Sequence, residues 1–147
     1  MVDFLVIGPV GAVIYRDIFP LIKNGNVSSG WNRVVEFEDG VKFGNIRWFS
    51  NISDYCIPPF EFKRQYKDSD YKKFDNYDAI YIKKSEDIPD GYYGVMGVPI
   101  TFIDKWNPEQ FEVIGFGMNG SGGDDMFAPI VEGDYKFRRL LIKKKIS

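Results

Sequence analysis

Two short stretches carry residue types at spacings that chemistry uses. Cys56-Ile57-Pro58-Pro59-Phe60 sets an aromatic behind two prolines. With Asp or Asn before the prolines, such a stretch accepts hydrogen bonds from the exocyclic amino group of an extruded base, and the aromatic stacks on it. Here Ile57 stands at the accepting position, and a branched hydrocarbon accepts no hydrogen bond. The stretch therefore reads as a stiff loop between two strands. Gly115-Phe-Gly-Met-Asn-Gly120 has the glycine spacing of a loop that brings its backbone close to a phosphate or ribose after a strand. That chemistry needs a helix N-terminus next. Asp124, Asp125 and Pro129 follow instead, and a glycine-rich loop without a helix is expected.

Other chemistries are closed by composition. The 147 residues contain no histidine, which removes His-based triads and His zinc sites. Cys56 is the sole cysteine, so neither an internal disulfide nor a multi-cysteine metal cluster can form. A reducing, cytoplasmic setting is expected. Asp54, Asp68, Asp70, Asp75 and Asp78 lack the regular spacing and central glycine of a calcium loop. No catalytic, cofactor-binding or metal-ligating residue is assigned.

Charge gives the sharpest local signal. With 19 basic and 21 acidic residues the chain is near neutral overall, so a whole-molecule nucleic-acid signature is absent. Yet Lys136, Arg138, Arg139, Lys143, Lys144 and Lys145 fall in the last twelve residues without an acid, whereas Asp104 to Asp134 carries seven acids against Lys105. Such a basic end either guards a strand edge from aggregation or contacts phosphate. Arg47, Lys63, Arg64, Arg138, Arg139, Lys143, Lys144 and Lys145 are the candidate phosphate contacts.

The elements that must position these residues are mainly strands. Phe4 to Ile7 is a continuous apolar run that reads as a buried strand. A helix is expected over about 13–23, with Pro20 a break near Phe19 and Gly25 a stop. Arg33 to Phe37, Val41 to Phe43 and Ile46 to Phe49 read as strands around an Asp39-Gly40 turn. Ile46, Trp48 and Ser50 should share one face, Arg47 and Phe49 the other. Ala79 to Ile82, Val95 to Ile103 (bulged or at an edge), Phe111 to Gly115 and Phe137 to Lys145 complete the set. Asn107-Pro108-Glu109 can make only a turn. The expected fold class is α+β: a mixed, mainly antiparallel twisted sheet with one main helix, in one domain over 1–147. No apolar run approaches transmembrane length.

Three stretches resemble one family. Gly94-Val-Met-Gly-Val-Pro-Ile-Thr-Phe-Ile-Asp-Lys-Trp-Asn-Pro-Glu-Gln-Phe-Glu-Val-Ile-Gly115 is the most specific, supported by Phe74-Asp-Asn-Tyr-Asp-Ala-Ile80 and Gly44-Asn-Ile-Arg-Trp-Phe-Ser-Asn51. They are similar to the C-terminal half of the EcoRI-type DNA adenine methylase family. Phe4 to Lys23 and Tyr135 to Lys145 fit the same order, and the match is weak only over 51–73. The resemblance implies the distal half of a Rossmann-like methyltransferase sheet plus a C-terminal extension. In that family the S-adenosylmethionine loop and an Asn-Pro-Pro-Phe catalytic motif lie upstream of the stretch that begins near Phe4. The implied function is therefore a truncated or split methylase of a restriction-modification system, inactive alone, binding no cofactor by itself and contributing weak, salt-dependent DNA contacts. The alternative is a non-catalytic binding or structural module that keeps the fold. The free side of the Phe4–Ile7 strand would meet a second copy of the chain, the favoured outcome since it needs only this chain, or else a local segment folded over it or an upstream methylase half.

Overall fold

The computed structural model describes residues 2–29, 34–36, 38, 40, 42–52, 57–117, 126–127 and 129–146. Strand β1 (Leu5–Pro9) leads into a 3-10 turn at Val10–Ile14 and then α1 (Phe19–Lys23). Short β2 (Ser28–Ser29) and β3 (Val34–Glu36) precede the nine-residue β4 (Lys42–Ser50). β1 runs antiparallel along one side of β4, while β2 and β3 pair with its other side.

The second sheet holds β5 (Ile80–Tyr81), β6 (Val95–Pro99), β7 (Phe111–Gly117), β8 (Met126–Phe127) and β11 (Arg139–Lys144), in the order β5-β6-β11-β7-β8. Its centre is antiparallel and both flanking pairs are parallel. Between β8 and β11 sits a two-stranded hairpin, β9 (Ile130–Val131) with β10 (Asp134–Tyr135). The architecture is thus a mixed α+β fold with antiparallel and mixed sheets and little helix, as expected.

The alternation of β11 explains its unbroken apolar run. Leu140 and Ile142 enter the large core with Met96, Val98, Phe102 and Phe111, while Leu141 enters a second cluster with Phe74, Ala79 and Val131 on the opposite face. A strand covered on both faces needs no polar alternation. The large core also takes in Val13, Phe19, Ile22 and Phe49 from the β1–β4 side.

Three expectations are corrected. The single helix over 13–23 is two pieces, a 3-10 turn and a one-turn α-helix. Pro20 does not end the helix; it occupies the first turn, where its missing N–H costs nothing. Gly25 does stop it: at φ 77 it donates to Ile22 O while Asn26 donates to Leu21 O, a Schellman closure. Phe4–Ile7 forms a strand but not a buried one, since Leu5, Val6 and Ile7 are 56, 49 and 42% exposed. β1 has a neighbour on one side only, among the described residues. Finally, Val95–Ile103 is an internal strand as far as Pro99, where it turns into a 3-10 segment at Ile100–Lys105.

β4 behaves as its alternation predicts, with Arg47 and Phe49 buried. The Asp39-Gly40 turn lies partly outside the described residues, although Gly40 has the positive φ that the turn requires, 83°.

Candidate nucleic-acid interface

The basic residues divide by what their side chains already hold. Arg47 is 1% exposed; its Nε donates to Asp104 Oδ1 at 2.7 Å and its NH1 to Ile46 O. The pair ties β4 to the 3-10 segment after β6, so Arg47 is a buried strut and no phosphate reaches it. Arg139 is likewise buried, with NH1 donating to Arg138 O at 3.1 Å, NH2 to Tyr81 Oη at 3.1 Å, and its guanidinium 5.1 Å from the Tyr81 ring centre. Both are withdrawn as surface contacts. Arg47 shares the buried face of β4 with Phe49, and Arg139 lies on the Leu141 face of β11, covered there by Tyr81.

The remaining candidates gather at the two ends of β11, about 17 Å apart for a strand of this length. At the far end, Lys144 forms an ion pair with Asp90 and lies 4.6 Å from the Phe62 ring and 5.2 Å from that of Tyr93. Its ammonium and the Gly91 N–H hold the Asp90 carboxyl below its ordinary range. Asp90 also organises the Lys63–Arg64 loop, donating its N–H to Arg64 O while its carbonyl accepts from Tyr66 N. That loop, Lys143 and Lys145 therefore share one end, with Lys63, Arg64, Lys143 and Lys145 exposed. Arg64 faces Asp87 at 3.6 Å, and its hydrogen bond with Tyr71 raises the guanidinium further.

At the near end stand Arg138 and Lys136. The Arg138 NH1 sits so close to Gly11 that a Cβ there would lie 2.5 Å from it. Lys136 Nζ lies 5.7 Å from the Tyr81 ring centre, and its N–H donates to Pro129 O. Lys136 and Tyr81 line a cavity of about 350 Å³ shared with Arg64, Lys72 and Lys83, so cations from three segments face one depression. Its acids are partly engaged: Lys72 pairs with Glu132 at 2.9 Å. Lys72 and Lys83 escape a reading by spacing: Tyr81 N donates to Lys72 O, Lys83 follows β5, and β5 reaches β11 through β6.

The hairpin beside this cavity is pinned by one carboxylate. Asp75 accepts from Glu132 N at 3.0 Å and Gly133 N at 2.8 Å. Both turn residues have positive φ, 51° and 83°, the pair of signs of a type I′ hairpin turn.

Among the described residues neither chemistry-like motif forms a reactive site, and Cys56 lies outside them. Ile57 O accepts from Asn107 Nδ2, and Phe60 exchanges two hydrogen bonds with the Gln110 amide. The Phe60 ring meets Phe62, Phe102 and Phe111 edge-on. The Pro-Pro stretch is thus a strap laid along the Asn107–Gln110 turn, beside a cavity of about 370 Å³. Gly115 and Gly117 are buried strand residues of β7, paired with Leu141 and Arg139 of β11. They open no cradle for a nucleotide-type cofactor such as S-adenosylmethionine, and residues 118–125 lie outside the described set.

Residues 31–145 match the adenine-specific methyltransferase EcoRI family. The chain is 34% identical to the type II methyltransferase M.EcoRI of Escherichia coli, over 97% of this chain and 50% of that protein. It is 36% identical to M.MpnI of Mycoplasma pneumoniae (strain ATCC 29342 / M129 / Subtype 1), over 76% of this chain and 43% of that protein. M.MgeORF184P of Mycoplasma genitalium (strain ATCC 33530 / DSM 19775 / NCTC 10195 / G37) is 34% identical, over 76% and 44%. No solved structure matches the chain significantly. The chain belongs to the EcoRI-type adenine-specific methyltransferase family. It spans about half the length of the curated relatives it matches. No helix among the described residues is long and apolar enough to cross a membrane.

Proposed function

We propose that this chain is the DNA-gripping half of a split or truncated adenine methyltransferase of a restriction-modification system, catalytically incomplete alone. The observation that carries the reading is its match to relatives twice its length. The β1 edge supports it independently. Three consecutive apolar residues exposed on both faces of a strand paired on one side among the described residues are apolar surface that a covering partner would bury. The complementary methylase half is the proposed occupant of that edge. The large core takes side chains from both sheets, which supports treating residues 1–147 as one domain.

DNA contact is proposed through Lys63, Arg64, Arg138, Lys143 and Lys145, with Lys144 steadied between Asp90 and two rings. Such contacts release counterions, so affinity should fall steeply with salt. Binding of a labelled duplex is measured across a salt series for wild type and for the Lys143→Glu/Lys145→Glu variant. The expected result is weak binding to all sequences, weakened further by charge reversal. No binding at low salt, or an unaffected variant, overturns the DNA reading. Sedimentation of wild type beside Leu5→Lys tests the edge. If wild type self-associates and the variant does not, the edge takes a second copy rather than the complementary half.

A further inference from the structure

Phe137 is 70% exposed, the most exposed aromatic among the described residues, and Tyr135 follows at 58%. Neither packs on a core cluster. Nothing in the fold requires an aromatic there, and a lone exposed ring would call for no explanation. What surrounds Phe137 does. The Arg138 guanidinium lies 5.8 Å from its ring centre, within cation–π range, and is seated against the bare Cα of Gly11. Buried Arg139 donates to the Arg138 carbonyl and fixes the backbone at the base of the ring. Asp75 pins the preceding hairpin turn. The segment Tyr135-Lys136-Phe137-Arg138 thus alternates exposed rings with cations on a braced backbone.

We propose that Phe137 is a stacking platform for an unpaired nucleobase, with Lys136 and Arg138 taking the flanking phosphates. This rests on the DNA reading above and deepens it by naming a base contact. The chemistry follows from the pairing of charge with aromatic surface. Phosphates draw the strand to Lys136 and Arg138 irrespective of sequence. A base whose stacking partner is lost recovers a π-face on the ring. A rigid ring loses little entropy on binding, and the clamp from Arg139 keeps it presented. An apolar partner protein is a poorer fit, because both cations would be buried with the ring.

The test uses two labelled strands of equal length and charge, one with all its bases and one wholly abasic. Wild type should bind the base-bearing strand roughly tenfold more tightly, the scale of one base–aromatic stack. Phe137→Ala should lose that preference while keeping the salt slope, and Phe137→Trp should keep it. Arg138→Gln should lower the salt slope by about one without abolishing the preference. Equal wild-type affinity for both strands, or a preference surviving in Phe137→Ala, overturns the platform while leaving the DNA reading intact. Failure to bind either strand at low salt overturns both. A wild-type dimer in sedimentation that Phe137→Ala dissociates would assign the ring to contacts between copies and overturn the proposal.

Discussion

Removing Arg47 should unfold the joint between the two sheets rather than weaken a DNA contact. Its guanidinium is 1% exposed and bonds Asp104 at 2.7 Å, while the Asp104 side chain is 18% exposed. Breaking a buried pair by deleting one partner costs about 3–5 kcal/mol. Because Asp104 retains some access to water, the low end applies, about 3 kcal/mol for Arg47→Ala. For a chain of this size that corresponds to a fall in Tm of about 6–12 °C. Replacing both partners with apolar residues, Arg47→Met with Asp104→Leu, should recover most of the loss, because the desolvation cost of both charges disappears together. Differential scanning calorimetry of the wild type, Arg47→Ala and the double variant gives the comparison. If Arg47→Ala melts within 2 °C of wild type (roughly 1 kcal/mol or less) and instead loses DNA affinity, the assignment of Arg47 as a strut is refuted.

Asp75→Ala removes both acceptors of the Glu132–Gly133 turn and should destabilise the hairpin by about 1–3 kcal/mol, seen as faster amide exchange at Glu132 and Gly133 than elsewhere. The depressed Asp90 carboxyl contributes stability that is complete above its unfolded pKa and is lost as pH falls through its lower folded value. An acid melt should therefore lose this contribution below the ordinary carboxylate range, and Asp90→Asn should remove that part of the pH dependence. The Tyr66 phenol donates to Asp68, whose carboxylate pushes it up to about 12, so a spectrophotometric titration should show a late-ionising tyrosine that Asp68→Asn brings back toward 10. Burial raises Tyr71 and Tyr92 beside it, which should also ionise late.

Where local patterns were decisive, the sequence reading and the structure agree. Gly25 ends the helix because only a residue at ease with φ 77 closes that turn. Asn107-Pro108 makes a turn because Asn107 Oδ1 accepts from Glu109 N at 2.9 Å and the chain then enters β7 at once. The Pro-Pro reading agrees for a similar reason: the Ile57 side chain offers no acceptor, and the strap is held by Asn107 and Gln110 instead; the glycine loop at 118–125 lies outside the described residues. What escaped was tertiary. Charge counting treats Arg47 and Arg139 like Lys143, and only the tertiary partners, Asp104 against Arg47 and Tyr81 against Arg139, show that the first two are buried. An apolar run reads alike in an inner strand and in an edge strand, so the exposure of Leu5 to Ile7 was not legible. The depression shared by Lys136, Lys72 and Lys83 joins residues far apart in sequence, and no spacing rule connects them.

Methyl transfer from labelled S-adenosylmethionine to DNA tests the central claim most directly, assayed with this chain alone and after mixing with a polypeptide carrying the family's cofactor loop and Asn-Pro-Pro-Phe motif. The account predicts no incorporation by either polypeptide alone and adenine methylation by the mixture. Transfer by this chain alone, or a stoichiometric cofactor complex in calorimetry without its partner, would contradict it.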